Sequence, residues 1–100
     1  MTKEEIIDKE KERIKQILKR ADDPGDLRLG FYLHFAALYE TLGLPFDLDA
    51  LAVEVEKVAR AFEKAKSPEE TEVEVERLAL ALLSLIQWAK ESRNNLLLVI

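Results

Sequence analysis

The sequence is divided into helical segments by a nearly complete set of start and stop signals. Thr2 with Glu5, and Ser67 with Glu70, have the spacing of a capping box, in which each side chain bonds the other residue's backbone N–H. Gly43 follows an apolar segment and suits the left-handed position that ends many helices. Acidic residues cluster at helix starts and basic residues at several helix ends, as the helix dipole favours. These signals limit the chain to a helical fold.

Apolar periodicity between these signals predicts four helices, over about residues 3–21, 24–42, 48–66 and 68–93. Asp23 or Asp26 can cap the second helix and Asp47 the third. Short connections between helices of similar length favour antiparallel neighbours. We therefore expect one all-α domain over residues 1–100, a compact antiparallel four-helix bundle with an apolar C-terminal tail. The second and fourth helices are apolar on most sides, which predicts that they lie innermost.

The last residues interrupt this regular pattern. After Asn94 and Asn95 the sequence ends in the apolar segment Leu96 to Ile100. We expect the chain to bend at the two asparagines so that tail residues 94–100 pack across the open end of the bundle. The alternative is that Leu96 to Ile100 form a lid or the interface of a homo-oligomer, because large exposed apolar patches are uncommon in monomers.

Composition excludes several classes of function. The 100 residues carry a net charge of −5, which argues against nucleic-acid binding because that requires clustered Lys and Arg. No cysteine is present, so disulfides, thiolate nucleophiles and cysteine-based zinc sites are absent. The longest apolar run, Leu78 to Ile86, is too short to span a membrane, and the charged N-terminus does not resemble a targeting peptide. We expect a soluble, cytoplasmic protein with no membrane or nucleic-acid partner.

His34 is the main candidate for a functional residue. It is the only histidine and lies on the apolar stripe of the second helix, where an idealised core has leucine. Gly30 and Ala37 leave little side-chain volume beside it, which could provide clearance for a planar hydrophobic ligand such as a haem bound through His34. The other interpretation is close helix packing, with His34 hydrogen-bonded to Tyr39, Ser84, Gln87 or a backbone carbonyl.

On the fourth helix, Ser84 shares a face with Gln87 and with Trp88, which stand three and four residues after it. Together with His34, these side chains could frame one polar spot in an apolar pocket. The candidate cofactor-binding residues are His34, Gly30, Phe31, Phe35, Ala37, Leu38, Ser84, Gln87 and Trp88. Taken singly, these residues are equally compatible with ordinary packing. His34 is the only candidate metal ligand, as the axial ligand of a haem or another porphyrin.

Catalytic and metal motifs are otherwise weak. Ser84 and His34 could form a nucleophile pair, and Glu10, which interrupts the apolar stripe of the first helix, is the best acid to orient the imidazole. Nothing in the sequence fixes these three groups in one place, and no oxyanion hole is evident. No Glu-x-x-His pair and no glycine-rich phosphate loop is present. We expect no enzyme activity and no bound cofactor, with haem or another porphyrin as the alternative.

The Ser67-Pro68-Glu69-Glu70 start, the Asp23-Pro24-Gly25-Asp26 turn, the Glu/Lys surfaces and the Leu/Ala/Val core are together distinctive. In these features the chain resembles computationally designed helical bundles. That resemblance implies a scaffold without a natural substrate. Two other hypotheses remain: a binding protein for a planar hydrophobic molecule at His34, and an interaction module that uses the fourth helix and the tail.

Overall fold

The protein is described by a computed structural model, which covers the backbone of residues 2–99 and the side chains of residues 2–92. It contains four helices, α1 (Lys3–Arg20), α2 (Pro24–Leu42), α3 (Leu48–Lys64) and α4 (Pro68–Val99). The described residues contain no strand, so the all-α four-helix prediction is confirmed. Val73 to Glu76, which alternate apolar and acidic residues, lie within α4.

The helix starts follow the capping signals. Thr2 Oγ1 accepts the backbone N–H of Glu5 at 3.2 Å, and the Glu5 carboxylate accepts the N–H of Thr2 in return, which completes the capping box. Asp23, rather than Asp26, caps α2, with Pro24 at its first turn. Ser67 Oγ accepts the N–H of Glu70 at 3.1 Å at the start of α4. Capping therefore sets these three boundaries as the sequence predicts.

One predicted boundary is wrong. α4 does not end near residue 93 but remains helical to Val99, so the backbone does not bend at Asn94 and Asn95. Asparagine is a weak helix former, but no glycine or proline follows it, and the leucines after it favour helix. Leu96 to Val99 thus belong to α4 in the backbone. The predicted packing of their side chains, and Ile100, lie outside the described residues.

The core runs along the centre of the bundle. Phe31 is fully buried in α2 and stacks on Phe62 of α3, with ring centroids 5.5 Å apart. Leu51, Val55, Ala59 and Phe62 are the buried residues of α3 and face this core. The core cluster consists of Ile14, Leu27, Phe31, Phe35, Leu51, Val55, Ala59, Phe62, Val75, Ala79 and Leu82.

The helices are unequal in their contacts. In the described part of the chain, α2 and α4 each pack closely against all three other helices, whereas the backbones of α1 and α3 do not come close to each other. This arrangement agrees with the prediction that α2 and α4 lie innermost. Their outer sides are nevertheless exposed, as shown by Leu29 and Leu33 on α2 and by Leu80 and Trp88 on α4. Within the described residues, no helix combines the length and apolar character needed to cross a bilayer.

Candidate functional site

A buried carboxylate–imidazole pair joins α1 to α2. His34 Nε2 and Glu10 Oε2 lie 2.8 Å apart, and each side chain is 8% exposed. Glu10 is the one charged residue among the buried positions of the described chain. Because burial of an unpaired polar group is costly, each partner here satisfies the other. The sequence picked out both residues but did not predict that they pair directly.

The pair leaves one ring nitrogen of His34 available. Nε2 donates its N–H to the Glu10 carboxylate, and Nδ1 takes no part in this bond. Within residues 2–92, no group forms a hydrogen bond with Nδ1 of His34. Every fully enclosed polar side-chain atom in these residues does have a hydrogen-bond partner, so Nδ1 is not fully enclosed. Nδ1 is therefore accessible from the spaces beside the ring.

Two open spaces adjoin His34. The first, the His34 cavity, has a volume of about 280 Å³ and lies between α1, α2 and the middle of α4. Its lining residues are Ile6, Lys9, Glu10, Arg13, His34, Ala37, Leu38, Thr41, Leu42, Ile86 and Lys90. The second, the Gly30 groove, measures about 440 Å³ and runs between α1 and the start of α2. It is lined by Arg13, Gln16, Ile17, Arg20, Ala21, Asp26, Gly30 and His34.

Gly30 serves close helix packing. A Cβ atom at this position would lie 2.7 Å from Cγ2 of Ile17, a distance that ordinary contacts between side chains do not allow. The small volume of Gly30 is therefore taken up by Ile17 of α1, which brings the two helices together one turn before His34. Ile17 therefore occupies the space next to the Cα atom of Gly30, and the Gly30 groove is what stays open beside this contact.

Only part of the predicted site comes together. Ala37 and Leu38 line the His34 cavity with His34, whereas Phe31 and Phe35 are buried in the core beside α3. From α4 the cavity receives Ile86 and Lys90 instead of the residues predicted from the sequence. Ser84 and Trp88 lie on the exposed outer side of α4, and Gln87 is half-buried but is not part of the cavity wall.

The arrangement does not support nucleophilic catalysis. Glu10 and His34 are in contact, but Ser84 is exposed on the outer side of α4 and does not reach the imidazole. Over the described residues, no group of three or more His, Asp or Glu side chains could hold a metal ion. What remains is an imidazole, held in place by Glu10, in the wall of a cavity that combines aliphatic with charged side chains.

A second polar cluster, not predicted from the sequence, connects α2 to α3. Arg28 donates to Glu56 at 2.7 and 3.1 Å and to Glu63 at 2.9 and 3.2 Å, and it also bonds the carbonyl of Pro24. Arg60 donates to Glu56 at 2.9 Å. Hydrogen bonds from Arg28, and then from Arg60, lower the pKa of Glu56 to about 2. Glu56 and Glu63 are seven residues apart on one side of α3, and that spacing was the available sequence signal.

A scan against protein-family models, a search of curated proteins and a search of solved structures each found no match. The chemistry of the site therefore follows from the residues around His34 alone.

Proposed function

We propose that this chain is a helical binding protein whose ligand is a small apolar molecule held in the His34 cavity. The observation that carries the proposal is the Glu10–His34 pair, 2.8 Å long, placed in the wall of a cavity to which five of the eleven lining residues contribute aliphatic side chains. Small-molecule sites commonly combine apolar walls with a few fixed polar groups. The pair supplies such a group in the required place.

His34 would contribute orientation. With Nε2 bonded to Glu10, the lone pair on Nδ1 can accept a hydrogen bond from a ligand N–H or O–H. A carboxylate behind an imidazole also keeps the ring from rotating, as it does behind many metal-bound histidines. A preorganised acceptor loses less conformational freedom on binding than a mobile one.

The size of the space favours a ligand smaller than a porphyrin. An engineered apolar cavity of about 150 Å³ binds benzene, so the 280 Å³ of the His34 cavity suits one or two aromatic rings. A haem would need a flat slot beside the imidazole, but Ile17 fills the space above Gly30. Haem ligation through His34 is thus the weaker form of this proposal.

The single histidine provides a direct test. Naphthalene-2-methanol, a neutral two-ring probe with one hydroxyl donor, is titrated into the protein while the Cε1–H resonance of His34 is followed by NMR. We expect a saturable shift of this resonance, since no other histidine contributes to that signal. A resonance that does not move up to the solubility limit of the probe would contradict the proposal.

Two matched variants locate the binding. Ala37→Trp places an indole at the wall of the His34 cavity, and we expect it to abolish the shift. Ala81→Trp introduces the same side chain at an exposed position on the outer side of α4 and is expected to bind as the parent does. Equal binding by both variants would place the probe elsewhere.

A scaffold without a ligand is the second candidate. It is supported by the complete capping, by the absence of unsatisfied buried polar side-chain atoms in residues 2–92, and by the resemblance to designed bundles. In that case the Glu10–His34 pair only fixes the register of α1 against α2. The same titration separates the candidates, because a scaffold predicts no response in the parent or in either variant.

A further inference from the structure

The charges around the two spaces beside His34 differ from those of the chain as a whole. The protein carries a net charge of −5, yet four cations line the His34 cavity and the Gly30 groove, against two carboxylates. The cations are Lys9, Arg13, Arg20 and Lys90. The surface around the two spaces is therefore locally positive, although the protein as a whole is acidic.

The two carboxylates are already engaged, whereas the cations are not. Glu10 is bonded to His34, and Asp26 accepts the backbone N–H of Asp22 at 3.3 Å in the turn before α2. Within residues 2–92, none of the four cations forms an ion pair, although Lys15 on the same helix pairs with Glu72. Unpaired cations beside an apolar cavity attract an anion that also has an apolar part.

Arg13 has the central position among these cations. It lines both spaces and lies one helical turn from Glu10, at the level of His34. A guanidinium can bond both oxygens of a carboxylate at once, which a lysine ammonium does less well. The aliphatic residues Leu38, Leu42 and Ile86 line the His34 cavity together with Arg13.

We infer that the ligand of the His34 cavity is an amphipathic carboxylate, with its apolar ring in the cavity and its carboxylate bound by Arg13. This inference rests on the function proposed above and adds the chemical class of the ligand. Lys9 and Lys90 increase the local positive potential, while Arg13 determines specificity. His34 then contacts the ring edge or a ring substituent.

The test compares 2-naphthoate with naphthalene-2-methanol, which share the same ring system and differ in charge. Binding of each is measured from the His34 resonance at low salt. We expect the parent to bind naphthoate about tenfold more tightly, because several partly exposed charge interactions, each worth up to about a factor of five, act together. The preference should fall as salt rises from about 0.01 M to about 1 M, where the screening length drops from about 30 Å to about 3 Å.

Arg13→Gln should reduce the preference for naphthoate by about threefold or more and leave the affinity for the alcohol within about twofold. Lys19→Gln removes the same charge from an exposed position of α1 outside both spaces and should leave the preference nearly unchanged. The control separates a specific contact from a change in net charge.

Each other outcome has a definite meaning. If both probes bind with equal affinity, or if Arg13→Gln and Lys19→Gln act alike, the carboxylate inference is wrong while the cavity proposal stands. A naphthoate titration that leaves the His34 resonance unmoved, while the alcohol shifts it, also overturns the inference. If neither probe binds, the proposed function itself fails.

Discussion

At the scale of single residues, Glu10 and His34 stabilise the fold only as a pair. Breaking a buried pair by removing one partner leaves the other without a hydrogen bond in a nonpolar environment, whereas replacing both with apolar residues removes that cost. Both side chains are 8% exposed, so water does not readily take the place of the missing partner. The pair is therefore a sensitive site for mutation.

We predict that Glu10→Leu lowers the free energy of unfolding by about 1–3 kcal/mol, because it leaves Nε2 of His34 without its acceptor. His34→Leu should cost at least as much, since it leaves the Glu10 carboxylate buried and unpaired. The double variant should regain the stability of the parent or exceed it. Urea unfolding of the four proteins measures the coupling, and additive effects of the two single changes would contradict it.

The sequence indicated a close approach at Gly30 but did not identify the group that makes it. A glycine inside a helix indicates a close approach, and the sequence left open whether a ligand or another helix makes it. The answer depends on the register of α1 against α2, which places Ile17 over Gly30. Register is a property of helix pairs and could not be obtained from either helix alone.

At the scale of elements, most of the helix boundaries could be predicted and the cross-helix contacts could not. Caps and stops act within a few residues of sequence, so the starts at Lys3, Pro24, Leu48 and Pro68 lie at or next to their signals. The end of α4 was missed because a weak helix former was interpreted as a stop. Arg28 reaches two glutamates on α3, and that contact becomes visible only once the helices are paired.

The Arg28 cluster should make stability depend on acid pH. Its bonds hold the pKa of Glu56 at about 2, below the usual 4.5, and also lower the pKa of Glu63. A carboxyl whose pKa is lowered in the folded state stabilises the protein above its unfolded pKa, and this contribution is lost as the pH falls through the folded pKa. Arg28→Gln removes the largest cause of both shifts and leaves the smaller contribution of Arg60 in place.

We predict that Arg28→Gln is less stable than the parent at neutral pH, and that the difference shrinks as the pH falls from about 4.5 to about 2. Chemical unfolding of both proteins across this range is the measurement. Arg77→Gln is the matched control, because Arg77 is 72% exposed and, among the side chains of residues 2–92, forms an ion pair only with Glu74 one turn away. A difference that stays constant over the whole range would show that Arg28 acts through packing instead.

At the scale of the whole molecule, the two innermost helices also carry large exposed apolar residues. Leu29 and Leu33 on α2 are 57% and 59% exposed, and Leu80 and Trp88 on α4 are 45% and 57% exposed. The apolar residues on most sides of these helices predicted that they lie innermost, but a bundle of four helices leaves each one an outer side in contact with solvent. Scattered apolar residues on a surface are normal and do not by themselves require a partner.

The outer side of α4 provides the test of self-association. Arg77 and Glu91 interrupt its apolar residues, and the net charge of −5 opposes contact between copies. We therefore predict a monomer of 11.5 kDa by sedimentation over a wide range of concentrations.

In a monomer, Leu80→Gln with Trp88→Gln should change the free energy of unfolding by no more than about 0.5 kcal/mol per substitution, because these side chains are already largely hydrated. An interaction module predicts the opposite: a mass that rises with concentration, and an apparent stability that depends on concentration in the parent but not in the double variant. Observing that pattern would make the outer side of α4 an interface and would shift the function of the chain from ligand binding to assembly.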